Sequence, residues 1–304
     1  MDNINISGSG CELLIPLSER KPLQEIERSL IKTYRKFLWA RFTKAVRDFK
    51  LVEEGDKIAV GISGGKDSLL MAKLFQEMQK HGVVNFELEF IAMDPGFHET
   101  NKQLLLSNCE YLNIPVKIFD SGIFEIVDKI ANDYPCYMCA RMRRGALYAK
   151  AQELGCNKLA LGHHFDDVIE TTLINMFYAG SFKTMRPKLK SKNFENMELI
   201  RPLCYIHEED IKRFAANSGL SPMNCGCVVA AKKTSSKRRE IKELIKELKK
   251  VNGGVDSAIF RSAQNINMDS VLGWQKGGVK YSYLDFYDDD ESEDNEFIGG
   301  CIND

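Results

Sequence analysis

Short apolar runs alternate along the chain with segments whose apolar residues recur every three or four positions. Four of the runs have the length and the bounding turns of buried strands: 57–61, 86–93, 116–120 and 158–161. A segment with helical periodicity follows each of them: 69–75, 98–111, 139–154 and 166–178. Repeated β-α-β units of this spacing predict an α/β fold, in which helices cover both faces of a parallel twisted sheet.

Helical periodicity extends beyond the predicted sheet at both ends of the chain. Apolar residues at three- and four-residue steps from Leu23 to Phe49 predict a long N-terminal helix. An amphipathic pattern within 231–250 predicts a helical C-terminal extension. We therefore expect four regions along the chain. They are a loose N-terminus at 1–20, the main α/β domain at 21–222, a cysteine-containing and basic helical region at 223–284, and an acidic, disordered tail at 285–304.

The size and composition are ordinary for a globular protein in water. The 304 residues accommodate one large α/β domain, and 44% of them are hydrophobic and 28% charged. The sequence has no apolar run of about 18 residues that would predict a membrane span. Its N-terminus is acidic and polar, where a secretory signal is basic and then apolar. We expect a cytoplasmic protein with no membrane partner.

The formal net charge of −1 conceals an uneven distribution of charge along the chain. The last 20 residues contain nine acidic residues and no lysine or arginine, which leaves 42 basic and 34 acidic residues in the body of the protein. A basic body is typical of proteins that bind nucleic acids. Three segments are candidates for contacts with phosphates: 141–144, 182–192 and 231–250.

A glycine-rich loop joins the first predicted strand to the first helix of the sheet. The segment Ser63-Gly-Gly-Lys-Asp-Ser68 places backbone N–H groups, a helix N-terminus and the Lys66 ammonium where an anion would bind. Its spacing differs from that of the G-x-x-x-x-G-K-[ST] and G-x-G-x-x-G loops. It resembles the S-G-G-x-D-S pyrophosphate loop of enzymes that activate a substrate oxygen by adenylation. ATP is therefore the expected ligand, bound by Ser63, Gly64, Gly65, Lys66, Asp67 and Ser68.

Further polar residues follow two other predicted strands, and ligands bind at the carboxyl ends of strands in sheets of this kind. Asp94 follows the second strand and is expected to line the adenine and ribose of ATP. Gly162 and His163 follow the fourth strand and are expected to border the same nucleotide. Asp166 and Asp167 come next, and paired carboxylates are suitable ligands for Mg²⁺. The alternative is that one of the two caps the following helix.

The nine cysteines of a cytoplasmic chain indicate thiol or metal chemistry rather than disulfides. Two pairs are spaced closely enough to bind one metal centre. Three uses fit such pairs: a structural zinc site, a redox dithiol, or an iron–sulfur cluster on three thiolates with one iron open. The residues alone do not choose among them. The paired cysteines are Cys136, Cys139, Cys225 and Cys227, and the isolated ones, expected to be core or incidental, are Cys11, Cys109, Cys156, Cys204 and Cys301.

Taken together, these motifs resemble those of a known family. The chain is similar to the tRNA 2-thiocytidine synthetase type of tRNA thiolase, in the PP-loop (N-type) ATP pyrophosphatase superfamily, over roughly residues 22–250. The resemblance implies an adenine nucleotide alpha hydrolase-like fold. The segments that carry it are 52–56, 63–68, 136–145, 161–167, 173–178 and 199–203.

The resemblance also implies an activity: ATP-dependent replacement of a base carbonyl oxygen by sulfur, at cytidine C2 in a tRNA anticodon loop. Asp67, or the pair Asp166 and Asp167, would hold Mg²⁺, and Lys66 and Arg143 would neutralise phosphate charge. Three of the four paired cysteines would bind a [4Fe–4S] cluster. The segment Cys225-Gly-Cys227 departs from the C-x-x-C of the family, so the third ligand is either of its cysteines, with Cys225 favoured.

The expected partners are tRNA, a cysteine desulfurase or another sulfide donor, and a second copy of the chain in a homodimer. Two other functions remain open. One is ATP-dependent sulfur insertion into another tRNA base or into an acceptor that is not tRNA. The other is a non-catalytic protein that binds zinc and RNA.

Overall fold

The computed structural model describes residues 20–82, 84–94, 97, 99–120, 135–223 and 235–289. For residues 135–140, 235–236 and 288–289 it describes the backbone alone. The chain divides into two compact units, residues 1–259 and residues 260–304. The region boundaries expected after residues 222 and 284 remain predictions.

A six-stranded sheet forms the centre of the first unit. Its strands are β1 (Lys57–Gly61), β2 (Glu87–Asp94), β3 (Val116–Asp120), β4 (Lys158–Ala160), β5 (Lys188–Lys190) and β6 (Glu198–Ile200). They lie in the order β3-β2-β1-β4-β6-β5, and all neighbours are parallel except β5 and β6. The four predicted strands are present within about one residue of their expected bounds. β5 and β6 are additions, because three residues are too short to show a periodic pattern.

Helices cover both faces of this sheet, as predicted. Tyr148 and Ala151 pack against Ala59, Ile91 and Leu159 of the strands, and all five side chains are buried. The helices of the first unit are α1 (Leu23–Ile31), α2 (Ala40–Asp48), α3 (Lys66–His81), α4 (Glu99–Tyr111), α5 (Pro135–Glu153), α6 (Phe165–Ala179), α7 (Glu208–Asn217) and α8 (Ser235–Val251); α9 (Val255–Ser262) spans its boundary with the second unit.

The expected long N-terminal helix is interrupted in the structure. A turn after α1 leads into a π-helix at Arg35–Trp39, and α2 follows directly. The turn places Tyr34 on α7, where its ring packs edge-on against Phe214 at 5.6 Å and its hydroxyl accepts a hydrogen bond from Asn217 at 2.6 Å. The prediction of one continuous helix was wrong. The spacing of apolar residues does not reveal a single inserted turn, because contacts with a helix distant in sequence stabilise that turn.

The second unit contains a two-stranded antiparallel hairpin, β7 (Gly273–Lys276) and β8 (Val279–Ser282). Trp274 stacks on Tyr281 at 5.5 Å and on Phe286 at 5.2 Å. Phe286 belongs to a 3₁₀-helix at Tyr283–Asp289, so the first residues of the expected disordered tail are ordered by this aromatic cluster. Residues 290–304, which carry most of the acidic charge, lie outside the described residues.

Candidate active site

A cavity of about 350 Å³ opens at the carboxyl ends of β1 and β4. These two strands are neighbours, but the chain leaves β1 towards β2 on one side and reaches β4 only later on the other side. The loops after the two strands therefore diverge and leave a crevice between them, which is where ligands bind in open α/β sheets. The cavity is lined by Gly61, Ile62, Ser63, Asp67, Ser68, Met93, Arg143, Arg144, Leu147, Leu161, Gly162, His163 and Asp167.

The loop after β1 is fixed by its own two serines. The Ser68 hydroxyl donates to the Gly65 carbonyl at 2.9 Å and accepts the backbone N–H of Ser63 at 3.1 Å. The two hydroxyl oxygens lie 3.1 Å apart. Because the loop is closed by its own groups, its backbone and the N-terminus of α3 are held in place before a ligand arrives. This is the arrangement of an anion site.

Two glycines permit the close packing of this crevice. Gly64 has a φ of 78°, and a Cβ there would lie 2.4 Å from Sδ of Met223. A Cβ on Gly162 would lie 3.2 Å from the backbone nitrogen of Ser68. The loops after β1 and β4 therefore approach each other closely because Gly162 lacks a side chain. Gly65 begins α3 as its N-cap and does not line the cavity.

Lys66 lies between two carboxylates rather than in the cavity. Its Nζ is 3.3 Å from Oδ2 of Asp67 and 3.3 Å from Oε1 of Glu208. Partial burial would raise the pKa of Glu208, but hydrogen bonds from Lys242 and Lys212 lower it to about 2. Glu208 is therefore ionised at neutral pH and holds the Lys66 ammonium beside Asp67. Any contact between Lys66 and a phosphate requires this side chain to turn.

Asp67 and Asp167 face the cavity from the first turns of α3 and α6, with the buried ring of His164 between them. Nε2 of His164 is 3.5 Å from Oδ2 of Asp167 and 3.9 Å from Oδ1 of Asp67. The Asp67 Oδ1 is buried without a hydrogen-bond partner. Mg²⁺ binds one or two protein carboxylates together with waters and phosphate oxygens, so these two carboxylates fit it. Among the described residues, no three His, Cys, Asp or Glu side chains form a complete metal site by themselves.

Both aspartates at the start of α6 cap helices, and only one of them reaches the cavity. Asp167 accepts the backbone N–H of His164 at 3.0 Å, which caps its own helix. Burial would raise the pKa of Asp167, but the His164 ring, the Arg238 guanidinium and this hydrogen bond lower it. Asp166 instead accepts the backbone N–H of Glu208 at 2.7 Å and so caps α7. The structure thus separates the pair that was expected to share one metal ion.

His163 lines the cavity in the loop after β4, and the buried Arg201 lies near enough to affect its charge. Burial, and then the positive charge of Arg201, lower the pKa of His163 to about 4, so its ring is neutral at physiological pH. Nδ1 of His163 is buried without a hydrogen-bond partner, and so is Nε of Arg201. Burial also lowers the pKa of Arg201 to about 10. These unpaired polar atoms fit a site that is completed by a polar ligand.

Helix α5 supplies the positive charge on the opposite wall. Arg143 and Arg144 line the cavity. Cys136 and Cys139 lie in the first two turns of the same helix, so the Cα atom of Cys139 is one turn, about 6 Å, from that of Arg143. The first cysteine pair therefore lies on the helix that forms this wall, N-terminal to the two arginines.

The chain also passes the pyrophosphate loop immediately before the second cysteine pair. The backbone N–H of Met223 donates to the Gly64 carbonyl at 2.9 Å. Cys225 and Cys227 lie outside the described residues.

Some residues of the site have no clear signal in the sequence. Arg238 of α8 donates through Nε to Oε2 of Glu170 at 2.9 Å, and its Nη2 lies 3.4 Å from Oδ1 of Asp167. Glu170 is buried, and this burial raises its pKa.

Asp94 accepts the backbone N–H of Phe97 at 2.8 Å and lies 3.6 Å from Lys102, outside the residues that line the cavity.

The fold and the cavity together define a nucleotide-binding protein with a pyrophosphate loop at the topological switch point of its sheet. Residues 21–223 match the family model of the PP-loop domain. The tRNA-cytidine(32) 2-sulfurtransferase of Pelobacter propionicus is 39% identical over 239 residues, which are 78% of this chain and 88% of that protein. The same enzyme of Geotalea daltonii is 37% identical over 76% of this chain and 92% of its own. The chain belongs to this family of PP-loop tRNA sulfurtransferases.

A solved structure extends the similarity to three dimensions. The U34-tRNA thiolase NcsA from Methanococcus maripaludis, determined with its [4Fe–4S] cluster, superposes with a TM-score of 0.61. It is 27% identical in sequence, and the match covers 74% of this chain and 76% of NcsA.

Two further expectations concern the remaining cysteines and the membrane. Cys109, Cys156 and Cys204 are free and buried, and burial raises their pKa values to about 12, 11 and 12. They are core residues, as predicted, whereas Cys11 and Cys301 lie outside the described residues. Among the described helices, none is both long and apolar enough to cross a bilayer.

Proposed function

We propose that this protein uses ATP to replace O2 of the cytidine at position 32 of tRNA with sulfur. The observation that carries the proposal is the 39% identity to a tRNA-cytidine(32) 2-sulfurtransferase over 78% of the chain, together with an intact pyrophosphate loop at the cavity. The relative that acts on uridine 34 is less similar, at 27% identity, which favours cytidine 32 as the substrate.

The first half of the proposed reaction is an adenylation. O2 of the cytidine attacks the α-phosphorus of ATP, the bond to the β-phosphate oxygen breaks, and pyrophosphate leaves. The loop at Ser63–Ser68 holds the phosphates through its N–H groups, and Arg143 and Arg144 offset the charge that develops on them. Asp67 and Asp167 would hold Mg²⁺, which would neutralise phosphate charge when bound. Neutral His163 borders the base without competing for a proton.

The second half exchanges oxygen for sulfur. A sulfide nucleophile forms a bond to C2 of the activated base, the C2–O bond breaks, and AMP leaves with the oxygen. A reactive adenylate of this kind is hydrolysed by water, so the cavity between Gly162 and the α5 wall must exclude water during this step.

The cysteines would hold an iron–sulfur cluster at the edge of this cavity. Cys136 and Cys139 begin the helix that carries Arg143, and Met223, two residues before Cys225 in sequence, bonds to the Gly64 carbonyl. Thiolates are the usual ligands of such clusters, and the donor set fits. When bound, the cluster supplies the position at which sulfur is held for transfer. Either Cys225 or Cys227 is the third ligand. We further propose a cysteine desulfurase or another sulfide donor as a partner, a homodimer, and action in the cytoplasm.

Quantification of all the reaction products in one assay tests this proposal. Anaerobically reconstituted protein is mixed with ATP, sulfide and a tRNA transcript that has cytidine at position 32, and AMP, pyrophosphate and thiolated cytidine are quantified together. A matched transcript has uridine at that position. We expect the three products in equal amounts with the first transcript and no thiolated product with the second. Adenylation without sulfur incorporation, or equal thiolation of both transcripts, would overturn the assignment.

A further inference from the structure

An exposed apolar patch lies at the end of α6 that is remote from the cavity. Four large side chains within seven residues are 40–57% exposed: Met176, Phe177, Tyr178 and Phe182. Exposed apolar side chains that occur singly are normal, whereas four within seven residues at one end of a helix are a candidate binding surface. Three of the four are aromatic, and aromatic rings are the usual platform for unpaired nucleic-acid bases.

Hydrogen bonds fix the conformation of the turn that carries Phe182. Gly180 ends α6 in the left-handed conformation with a φ of 55°. The backbone N–H of Ser181 donates to the Asn175 carbonyl at 3.0 Å, and the Asn175 amide donates to the Lys183 carbonyl at 2.9 Å. These bonds fold residues 180–183 back onto the end of the helix, which reduces the cost of ordering Phe182 when a ligand binds.

Tyr178 is held in place by α8. Its hydroxyl donates to Oε2 of Glu240 at 2.7 Å, and the Lys237 ammonium lies 4.8 Å from the centre of its ring. The next residue of α8, Arg238, contacts Glu170 further back along α6. The first turns of α8 therefore cross α6 and link the patch to the side of the helix that faces the cavity.

Some basic residues of β5 and α8 pair with acids of the protein itself, and others in these parts of the chain are exposed. Lys188 contacts Glu53 and Glu198, each at 3.1 Å, and Lys242 contacts Glu208 at 2.6 Å. These residues do not supply net positive charge to the surface. The exposed basic side chains that flank the patch in sequence or across α8 are Lys183, Arg186, Lys237 and Arg239.

We propose that unpaired bases of the tRNA anticodon loop stack on Phe177, Tyr178 and Phe182 while the surrounding basic residues contact the phosphates. This inference rests on the proposed function, since it concerns the same substrate. Asp167 and Phe177 are ten residues apart on one helix, about 15 Å along its axis. A loop that delivers one base to the cavity can therefore place other bases on the patch. The length of α6 between these two residues then sets the distance between the reacting base and the neighbouring bases that stack on the patch.

Charge favours RNA over a second copy of the chain as the occupant. A twofold-symmetric contact places the same patch on both sides. It would bring the exposed lysines and arginines of one copy close to those of the other, which disfavours association. An RNA loop complements this surface in two ways. Its exposed bases can stack on the aromatic rings, and its phosphates can pair with the exposed lysines and arginines around them.

Fluorescence anisotropy with two RNA probes tests the inference. One probe is a hairpin with the sequence of an anticodon stem and loop, and the other is a duplex of the same stem without a loop. The variants are Phe177→Ala, Phe177→Trp and Lys183→Ala. Leu106→Ala is the matched control, because Leu106 is a 43% exposed apolar residue of α4.

Stacking predicts a specific pattern of affinities. Phe177→Ala weakens hairpin binding about 10-fold or more and leaves duplex binding unchanged, and Phe177→Trp restores the hairpin affinity. Lys183→Ala weakens both probes equally and lowers the slope of log affinity against log salt by about 1. Leu106→Ala changes neither.

The outcomes separate this inference from the proposed function. If the wild type thiolates tRNA but Phe177→Ala binds the hairpin like the wild type, the stacking surface is refuted and the function stands. If Phe177→Ala also turns a dimer into a monomer in light scattering, with RNA affinity unchanged, the patch is an interface between copies. If the wild type neither binds the hairpin nor thiolates tRNA, the proposed function itself fails.

Discussion

Arg238 Nε and Glu170 Oε2 lie 2.9 Å apart, which joins the basic C-terminal helix α8 to the helix that begins at the cavity. The side chain of Glu170 is only 5% exposed, whereas that of Arg238 is 48% exposed. The pair therefore matters mainly because it gives a buried carboxylate a partner. The same helix carries Lys242, whose Nζ lies 2.6 Å from Glu208, and Glu208 in turn contacts Lys66.

Removal of Arg238 is expected to destabilise the protein. In Arg238→Ala the Glu170 carboxylate stays buried without its main partner, and we expect a loss of about 1–3 kcal/mol in the free energy of unfolding. Glu170→Gln added to Arg238→Ala is expected to recover part of this loss, because a neutral amide costs less to bury. Arg239→Ala, at an exposed neighbouring position of α8, is the control. Equal midpoints for the two arginine variants in urea denaturation would contradict the structural role of the pair.

Substitutions at Asp67 and Asp166 are expected to affect different properties, the first the rate of AMP formation and the second the stability of the fold. Asp67→Asn removes a carboxylate that faces the cavity, and we expect the rate of AMP formation to fall on the order of 100-fold with little change in stability. Asp166→Ala removes a cap on α7 and is expected to cost about 0.5–2 kcal/mol of stability, with a rate within a few-fold of the wild type. Steady-state AMP release and thermal unfolding measure both quantities. The reverse pattern would show that Asp166, and not Asp67, is the metal ligand.

The stability of the fold is expected to depend on the protonation of His163. Its pKa is about 4 in the folded protein, against about 6.5 for a histidine in an unfolded chain. Between these values the unfolded chain binds a proton that the folded protein does not. The contribution of neutral His163 is therefore fully present above about pH 6.5 and is lost as the pH falls towards 4.

This linkage can be measured with His163→Asn, which cannot titrate at that position. The difference in free energy of unfolding between the wild type and the variant is expected to shrink, by an amount on the order of 1–3 kcal/mol, as the pH is lowered from 7 to about 4.5. NMR of the wild type should show a neutral His163 ring at pH 5.5. A ring that titrates with a midpoint near 6.5 would refute its burial.

Loss of the cluster is expected to abolish sulfur transfer and to leave ATP binding intact. In Cys136→Ser and Cys139→Ser we expect a large loss of iron and acid-labile sulfide and no thiolated tRNA, while the binding of ATP at the loop is retained. Cys156→Ala, at a buried cysteine of the core, is the control for the loss of a thiol. Iron content and equilibrium binding of a fluorescent ATP analogue check the two parts. Full thiolation by either serine variant would exclude a cluster on this pair.

The sequence predicted the parts of the fold and site that depend on neighbouring residues. The strand, loop and helix around Ser63–Ser68, and the strand end at Gly162 and His163, each have a local pattern that needs no tertiary information. The predicted residues Asp67 and Asp167 meet at one cavity because β1 and β4 end at the same edge of the sheet, and Arg143 lines that cavity from α5.

Contacts between distant parts of the chain could not be read in the same way. Arg238 and Glu170 are 68 residues apart, and a basic helix offers no sign of which of its charges will be paired internally. The separate roles of Asp166 and Asp167 depend on where α7 begins, 42 residues later. The π-helix after α1 likewise depends on the packing of Tyr34 against Phe214.

Analysis of tRNA nucleosides by mass spectrometry tests the central claim most directly. Total tRNA is compared between cells that lack the gene, the same cells supplied with the wild-type protein, and the same cells supplied with Asp67→Asn. The account predicts that 2-thiocytidine is absent without the gene, returns with the wild type and does not return with the variant, while other thionucleosides are unchanged. An unchanged level of 2-thiocytidine in the cells that lack the gene would contradict it.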